Sequence, residues 1–97
     1  MATFITFVNW TDQGIQTLKE SPARVEAFRS LCAKQGVEIN GFYSTMGEYD
    51  FIAILEAPSA EVAGRVALAV SAGGNVRTRT IQAFETDGFA DLVGSIG

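Results

Sequence analysis

The hydrophobic residues of this chain change their spacing repeatedly, and that alternation limits the fold more than any other feature. Stretches of β-branched and aromatic residues, typical of strands, occupy 3–8, 37–45, 49–56 and 75–84. Two stretches with helical spacing lie between them, at about 21–35 and 58–72. The sequence therefore predicts the order β-α-β-β-α-β.

Helix start and stop residues support these boundaries. Ser21 followed by Pro22 predicts an N-cap with proline in the first turn, and Gly36 predicts the end of that helix. The second helix opens at Pro58 and Ser59 and stops at the glycine pair 73–74. Each helix carries apolar residues on one face: Val25, Phe28, Leu31 and Cys32 in the first, and Val62, Val66, Ala69 and Val70 in the second.

Only Met46, Gly47 and Glu48 separate the second strand from the third, which predicts an antiparallel hairpin with a positive φ at Gly47. The whole order is that of an α+β, ferredoxin-like fold: a four-stranded antiparallel sheet with strands one and three central and both helices on one face. We expect a single domain over 1–97. Residues from about 86 onward form a C-terminal helical tail capped by Thr86, with apolar residues at helical spacing.

Both faces of the two central strands are apolar. In the first strand Phe4 and Val8 alternate with Ile5 and Phe7, and the third strand alternates in the same way. The helices cover one face, which leaves about 400 Å² on the other. Leaving that face exposed to water would lose about 10 kcal/mol of hydrophobic stabilisation. We therefore predict that two chains pack sheet against sheet as a homodimer or higher homo-oligomer. The competing prediction is that the tail from Thr86 folds back over the sheet.

Composition excludes several functions. Seven Lys and Arg against eleven Asp and Glu give a net charge of −4, so we expect neither nucleic acid nor a membrane surface as a partner. The N-terminus lacks a basic leader, and no run reaches the roughly 18 apolar residues of a membrane span. These features predict a cytoplasmic protein.

The chain has no histidine and one cysteine, Cys32. The usual general base, metal ligand and haem ligand are therefore absent. We expect no metal site and no cofactor. Cys32 cannot form an internal disulfide and is predicted to be a small buried hydrophobe on the inner face of its helix.

The hairpin loop carries the candidate catalytic residues. Alternation predicts Tyr49 on the face of Phe51 and Asp50 on the face of Ile52. A carboxyl group at the edge of an apolar cavity has a raised pKa, which suits proton abstraction or donation. The alternative is structural: Asp50 accepts backbone N–H bonds in the turn and Tyr49 packs on the hairpin.

Five further residues are candidate ligand-binding residues. Trp10, just past the first strand, can wall a pocket mouth or cover the core. Tyr43 and Glu48 add a phenol and a carboxylate near the hairpin. Arg77 and Arg79 share a face of the fourth strand about 7 Å apart, where they can hold a carboxylate or phosphate. Alternatively, their charges discourage pairing at a sheet edge.

Several of these segments resemble the GYD domain family. The resemblance lies in residues 9–14, 41–43, 53–57 and 74–78, and above all in 46–50, so it covers essentially the whole chain. The family's eponymous Gly, Tyr and Asp correspond to Gly47, Tyr49 and Asp50, with Glu48 interposed.

The resemblance implies a ferredoxin-like chain related to the dimeric α/β-barrel proteins, and it implies no established reaction. Proteins sharing that barrel include cofactor-free monooxygenases, muconolactone isomerases, haem-dependent chlorite dismutases and ligand-sensing domains of transcription regulators. The likeness in fold does not choose among them. The absence of histidine argues against the haem-dependent group.

Three hypotheses remain open. The first is a small cytoplasmic oligomer that binds a small, largely apolar molecule in a cavity of the barrel, with contacts from Tyr49, Asp50, Trp10 and Tyr43. The second is a cofactor-independent monooxygenase or isomerase in which Asp50 is the acid or base and Tyr49 a hydrogen-bond donor. The third is a purely structural or assembly module.

Overall fold

The computed structural model describes residues 1–97 and contains the predicted order of elements. A short helix and a 3₁₀ turn precede the first long helix, where the sequence predicts a short helical turn near 15–19. The strands are β1 (Ala2–Trp10), β2 (Glu38–Ser44), β3 (Phe51–Ala57) and β4 (Val76–Ala83). The helices are α1 (Asp12–Gln16), the 3₁₀ turn (Leu18–Glu20), α2 (Ser21–Lys34), α3 (Ala60–Ala72) and α4 (Thr86–Gly94).

The four strands form one antiparallel sheet in the order β2-β3-β1-β4. The predicted ferredoxin-like α+β fold is therefore confirmed, with β1 and β3 central and β4 at an edge. The register of β2 shifts between Ile39 and Gly41, where Asn40 is the extra residue of a bulge. Because of this bulge, both Ile39 and Phe42 reach the same face of the sheet, opposite Leu55 and Ala53 of β3.

Helices α2 and α3 cover that face. The buried core consists of Phe4, Cys32, Val37, Ala53, Leu55, Ala57, Ala63 and Val66. Cys32 is 1% exposed, as predicted for the inner face of its helix. Burial raises the pKa of the Cys32 thiol to about 11, because the apolar surroundings disfavour the thiolate.

The helix starts differ in part from prediction. Helix α3 starts directly after Pro58 and Ser59, as predicted, and Ser59 is its N-cap, with its hydroxyl accepting from the Val62 N–H at 3.2 Å. The predicted N-cap at Ser21 is wrong, because the 3₁₀ turn runs directly into α2 and Ser21 is already helical. The predicted cap at Thr86 is also wrong, since Glu85 precedes the helix and Thr86 is its first residue.

Helix α4 projects away from the rest of the chain. The radius of gyration is 14.7 Å and the longest dimension 53 Å, whereas a compact chain of this length has a radius of gyration of about 12.5 Å. Phe89 on α4 is 62% exposed, and Tyr43 and Ile81 on the uncovered sheet face are 58% and 51% exposed. The tail therefore does not fold back over the sheet. None of the helices has the length and apolar character needed to cross a membrane.

Candidate functional site

The end of β1 is fixed by the hairpin loop, and this positions Trp10. The Trp10 backbone N–H donates to Asp50 Oδ2 at 2.8 Å. The Asp50 N–H in turn donates to the Val8 carbonyl at 2.9 Å. The indole ring then meets the edge of Phe51 at 5.1 Å, with the two rings nearly perpendicular. Trp10 is thus held on the helix-covered face.

The segment after Trp10 is clamped to the loop before β4. The Thr11 N–H donates to the Asn75 carbonyl at 3.0 Å, and the Thr11 hydroxyl donates to the Gly74 carbonyl at 2.6 Å. Gln13 Nε2 donates to both the Gly73 carbonyl and Asn75 Oδ1, at 3.1 Å each. The approach is so close that a Cβ at Gly14 would overlap the Asn75 carbonyl oxygen.

A cavity of about 310 Å³ lies beside Trp10, between α2, α3 and the sheet. Eleven of its fifteen lining residues are hydrophobic. An aromatic series forms part of the wall: the ring centroids of Phe28 and Phe42 are 5.8 Å apart, and those of Phe42 and Phe51 are 5.4 Å apart. Pockets that bind small molecules are typically apolar, with a few polar groups, and measure about 300–1,000 Å³. This cavity therefore fits a small ligand.

The polar rim of the cavity is centred on Arg24, a half-buried residue in the first turns of α2. Its guanidinium donates to the Thr17 hydroxyl at 3.1 Å, the Gly14 carbonyl at 3.2 Å and the Ser21 hydroxyl at 3.1 Å. All three acceptors are neutral. The ion pair of this chain joins Arg29 to Glu26 instead, at 3.9 Å. No three His, Cys, Asp or Glu side chains lie together as a metal site would require.

The structure separates the predicted catalytic pair. Asp50 supports Trp10 at the cavity end, but the Tyr49 ring lies 4.6 Å from that of Phe7, on the opposite face of the sheet. The predicted face of Tyr49 is wrong, because β3 begins only at Phe51 and strict alternation does not extend into the loop at 45–50. That loop has six residues rather than the predicted three, and Gly47 takes a φ of +108° as predicted. The catalytic roles of Asp50 and Tyr49 stay a prediction.

The predicted ligand-binding residues are likewise divided. Trp10 lines the cavity. Tyr43 lies on the uncovered face opposite Ile52, and Arg77 and Arg79 lie on that face along the edge strand β4. Glu48 is exposed in the hairpin loop, where its carbonyl accepts from Asn9 Nδ2 at 2.8 Å. Of these residues the structure therefore brings only Trp10 to the cavity wall, and Asp50 supports Trp10 without lining the cavity.

The uncovered sheet face, here called the outer face, is apolar at its centre and charged at two corners. Glu38 stands directly opposite Glu56 at one end of β2 and β3. Arg77 and Arg79 stand at the diagonally opposite corner, level with the other end of β1. Its apolar side chains are Ile5, Phe7, Ile52, Ile54, Ile81, Tyr43 and Tyr49.

Sequence reasoning missed Arg24 and Asn75, which line the cavity rim. One signal was present: Arg24, Phe28 and Leu31 recur at the i, i+4, i+7 spacing of a single helix face. An arginine in line with core-facing residues indicates a charge beside apolar surface. Asn75 had no such signal, because only the fold brings it near α2.

The family model of the GYD domain matches residues 4–93. The chain belongs to the GYD domain family. The resemblance seen in the sequence is thus confirmed. A relative from Thermus thermophilus, named glutamine synthetase and cystathionine beta-lyase binding protein, is 35% identical over 94 residues, covering 96% of each chain.

Solved structures share the fold of this GYD domain. The feast or famine regulatory protein of M. tuberculosis superposes with a TM-score of 0.66 at 21% identity over 89% of this chain. The GYD domain spans about half of that regulator, 52% of its length. A Thermus thermophilus protein matches with a TM-score of 0.56 at 23% identity, covering 89% of this chain and 96% of its own. At these identities the likeness shows the fold alone.

Proposed function

We propose that this GYD domain is a small homo-oligomeric binding protein that holds a small, largely apolar molecule in the cavity beside Trp10. The apolar, aromatic-walled cavity of about 310 Å³ carries this proposal. Its walls are fixed before any ligand arrives, because Asp50 holds Trp10 and the clamp of Thr11 and Gln13 holds the loop at 73–75. A site built in advance loses little entropy on binding. We expect the protein in the cytoplasm, where a single thiol stays reduced.

The outer face supports association of two copies. Sheet-on-sheet packing of two such faces, about 400 Å² each, buries about 800 Å². A stable dimer buries about 1,200–2,000 Å². The sheet faces alone fall short, and the projecting α4, with Phe89 and Leu92 exposed, offers the remaining apolar surface. We therefore propose that α4 of each copy packs on its partner.

The charged corners of the outer face favour one arrangement of the two copies. The Glu38 and Glu56 pair is unfavourable within one chain, because like charges directly opposite on a sheet repel. A two-fold axis along the other diagonal of the sheet puts Arg77 and Arg79 of each copy over those glutamates of its partner. In this arrangement the strands of the two sheets cross at close to right angles, an established mode of sheet packing.

Sedimentation velocity at micromolar concentration tests self-association. The wild-type protein should sediment as a dimer or larger, and Ile54→Glu at the centre of the outer face should sediment as a monomer. Leu68→Glu is the matched control, because Leu68 is exposed on α3, away from that face. A monomeric wild-type protein, or an Ile54→Glu variant that still associates, contradicts the proposed interface.

Charge reversal tests the arrangement. Arg77→Glu combined with Arg79→Glu should weaken self-association, and adding Glu38→Arg and Glu56→Arg should restore it. If the fourfold variant associates no better than the double variant, the diagonal pairing of corners is wrong.

Calorimetric titration with octanol tests the cavity. Octanol is neutral and largely apolar and should bind the wild-type protein. Ala69→Phe should abolish binding because Ala69 lines the cavity, whereas Ala72→Phe, on the same helix and outside the cavity wall, should bind as the wild type does. Equal octanol binding by Ala69→Phe and the wild type would place the ligand elsewhere. Native mass spectrometry of protein purified from its own host would then identify any retained molecule.

A second candidate function is docking onto metabolic enzymes. This candidate is supported by the name of the relative that is 35% identical and covered over 96% of its length. We propose that the GYD domain binds glutamine synthetase or cystathionine β-lyase of its own host. The purified partners, mixed and separated by size-exclusion chromatography, should then co-elute. If both enzymes elute separately from the GYD domain at micromolar concentration, this candidate function is wrong.

A further inference from the structure

We infer that the molecule held in this cavity carries one anionic group, a carboxylate in the simplest case, which binds Arg24 at the rim. The inference rests on the proposed function, since it concerns the ligand of the same cavity. The ligand class is therefore small amphipathic carboxylates: an apolar body inside the cavity and a single charged group at its mouth.

The charge of Arg24 is the first argument. The side chain is half-buried, and its three hydrogen-bond acceptors are the Gly14 carbonyl and the hydroxyls of Thr17 and Ser21. These groups position the guanidinium without neutralising it. A partly desolvated charge is costly unless an opposite charge accompanies it. The chain has eleven acidic residues, yet none of them forms an ion pair with Arg24.

Free donors at the same rim are the second argument. A guanidinium has five N–H donors, and the three hydrogen bonds of Arg24 leave two of them for a ligand. Asn75 also lines the rim; its Oδ1 accepts from Gln13 Nε2, and its Nδ2 amide donates no hydrogen bond within the protein. Residues with unused donors, one from α2 and one from the loop before β4, thus line the same rim.

The surroundings of Arg24 fit a ligand that is charged at one end only. Arg24 and Asn75 line both the apolar cavity and an adjoining polar groove, which also contains Gln13, Thr17 and Glu20. The exposed Glu20 is the acidic residue of that groove, so a second anionic group placed there would be repelled. An anionic head at the boundary, with its body on the cavity side, satisfies both environments.

The cavity wall sets the length of the apolar body. Phe28 and Leu31 follow Arg24 on the same face of α2 and line the cavity. Seven residues of helix separate Arg24 from Leu31, a distance of about 10 Å. A medium-length aliphatic or single-ring carboxylate spans this distance, and octanoate is a suitable probe.

The experiment compares octanoate with octanol by calorimetric titration, on the wild-type protein and two variants. Octanoate should bind the wild type about tenfold more tightly than octanol, because a charge-assisted hydrogen bond replaces a neutral one. Arg24→Met should weaken octanoate about tenfold and change octanol by no more than about twofold. Arg65→Met is the matched control, since Arg65 is exposed on α3 and bonds Gln35 outside the cavity. It should leave both affinities unchanged.

The outcomes separate the two proposals. If octanol binds as tightly as octanoate, the cavity still binds a small apolar molecule, but the inference that the ligand carries an anionic group is wrong. If neither binds, the proposed function fails and the inference fails with it. If Arg24→Met does not fold, Arg24→Lys is the second variant: it keeps the charge and should keep the preference for octanoate. The ratio of the octanoate and octanol affinities of the wild-type protein then tests whether the ligand carries an anionic group. A preference that survives in a folded Arg24→Met overturns the role of Arg24.

Discussion

The two ends of the helix-covered face are built from the same helices and strands but pack differently. Near the start of β1, the layer between sheet and helices is filled by Phe4 and Leu55 among small residues. Near the end of β1, aromatic residues occupy the same layer and line a cavity. The small residues of the closed end are Cys32, Ala53, Ala57 and Ala63, and the aromatic residues of the open end are Trp10, Phe28, Phe42 and Phe51.

Side-chain size, rather than hydrophobic spacing, accounts for this difference. Small side chains let the helix backbones approach the sheet closely, and the larger ones fill what remains at the density of a protein interior. Four aromatic rings at tilted or perpendicular angles leave space between them, since their edges and faces meet without interdigitating. A solid core and a binding cavity can therefore share one layer.

The largest effect should come from the wall of the open end. Gly14→Ala would place a Cβ against the Asn75 carbonyl oxygen and force apart the clamp between the two loops. We expect the free energy of unfolding to fall by about 3 kcal/mol in urea titrations. Gly64→Ala on the exposed face of α3, where nothing lies within 4 Å, should stabilise by about 0.5–1 kcal/mol. Equal stability of Gly14→Ala and the wild type would show that the clamp yields easily.

The next prediction compares the two ends on one helix. Val66→Ala removes two methyl groups from the closed end, where the side chain is fully buried, and should destabilise by about 2–3 kcal/mol. Val70→Ala makes the same change beside the existing cavity, where fewer contacts are lost, and should cost about 1 kcal/mol. Urea denaturation measures both. Equal losses would mean that the open end is as tightly packed as the closed one.

A smaller effect is expected at the support of Trp10. Asp50→Ala removes the acceptor of the Trp10 N–H and should destabilise by about 1 kcal/mol. Asp50→Asn keeps an amide oxygen at that position and should destabilise less. Indole fluorescence should shift in Asp50→Ala and stay close to the wild type in Asp50→Asn. Identical spectra for all three proteins would show that Asp50 does not hold the ring.

The last effect concerns Cys32 at the closed end; it is absent at neutral pH and appears only at alkaline pH. The unfolded thiol loses its proton near pH 9.0, whereas the folded one keeps it until about pH 11. The unfolded state therefore binds fewer protons in this window, and the free energy of unfolding falls as the pH rises from about 9 to about 11. Below pH 9.0 the thiol contributes no slope.

Cys32→Ala provides the control, because it has no thiol to titrate. Its free energy of unfolding, measured in urea at each pH, should lack the part of the alkaline slope that Cys32 causes. Parallel slopes for the variant and the wild type would show that water reaches the thiol at the closed end.

The sequence predicted the regular parts of this fold well, for a physical reason. Inside a strand or helix the period assigns each residue to a face, so the two alternating sets of β1 and β3 and the inner face of α2 followed from apolar spacing. Which set of the strands lies under the helices did not follow, because both sets are apolar. Outside regular elements that rule fails, as Tyr49 shows by lying on the face opposite to its prediction. The cavity rim could not be predicted from spacing, because Gln13 and Gly73, which clamp its wall, are 60 residues apart in the sequence.

Alternation along β1 has a consequence for how the length of this chain can vary. Val8 and Trp10 face the cavity, while Ile5 and Phe7 face outward. One residue inserted or deleted within β1 would exchange the two sets beyond that point, exposing the cavity wall and burying the outer surface. The irregular loop at 45–50 contains no such alternation, so length changes should be tolerated there and absent from β1. An alignment of natural sequences would therefore carry its gaps at the hairpin tip and none across β1.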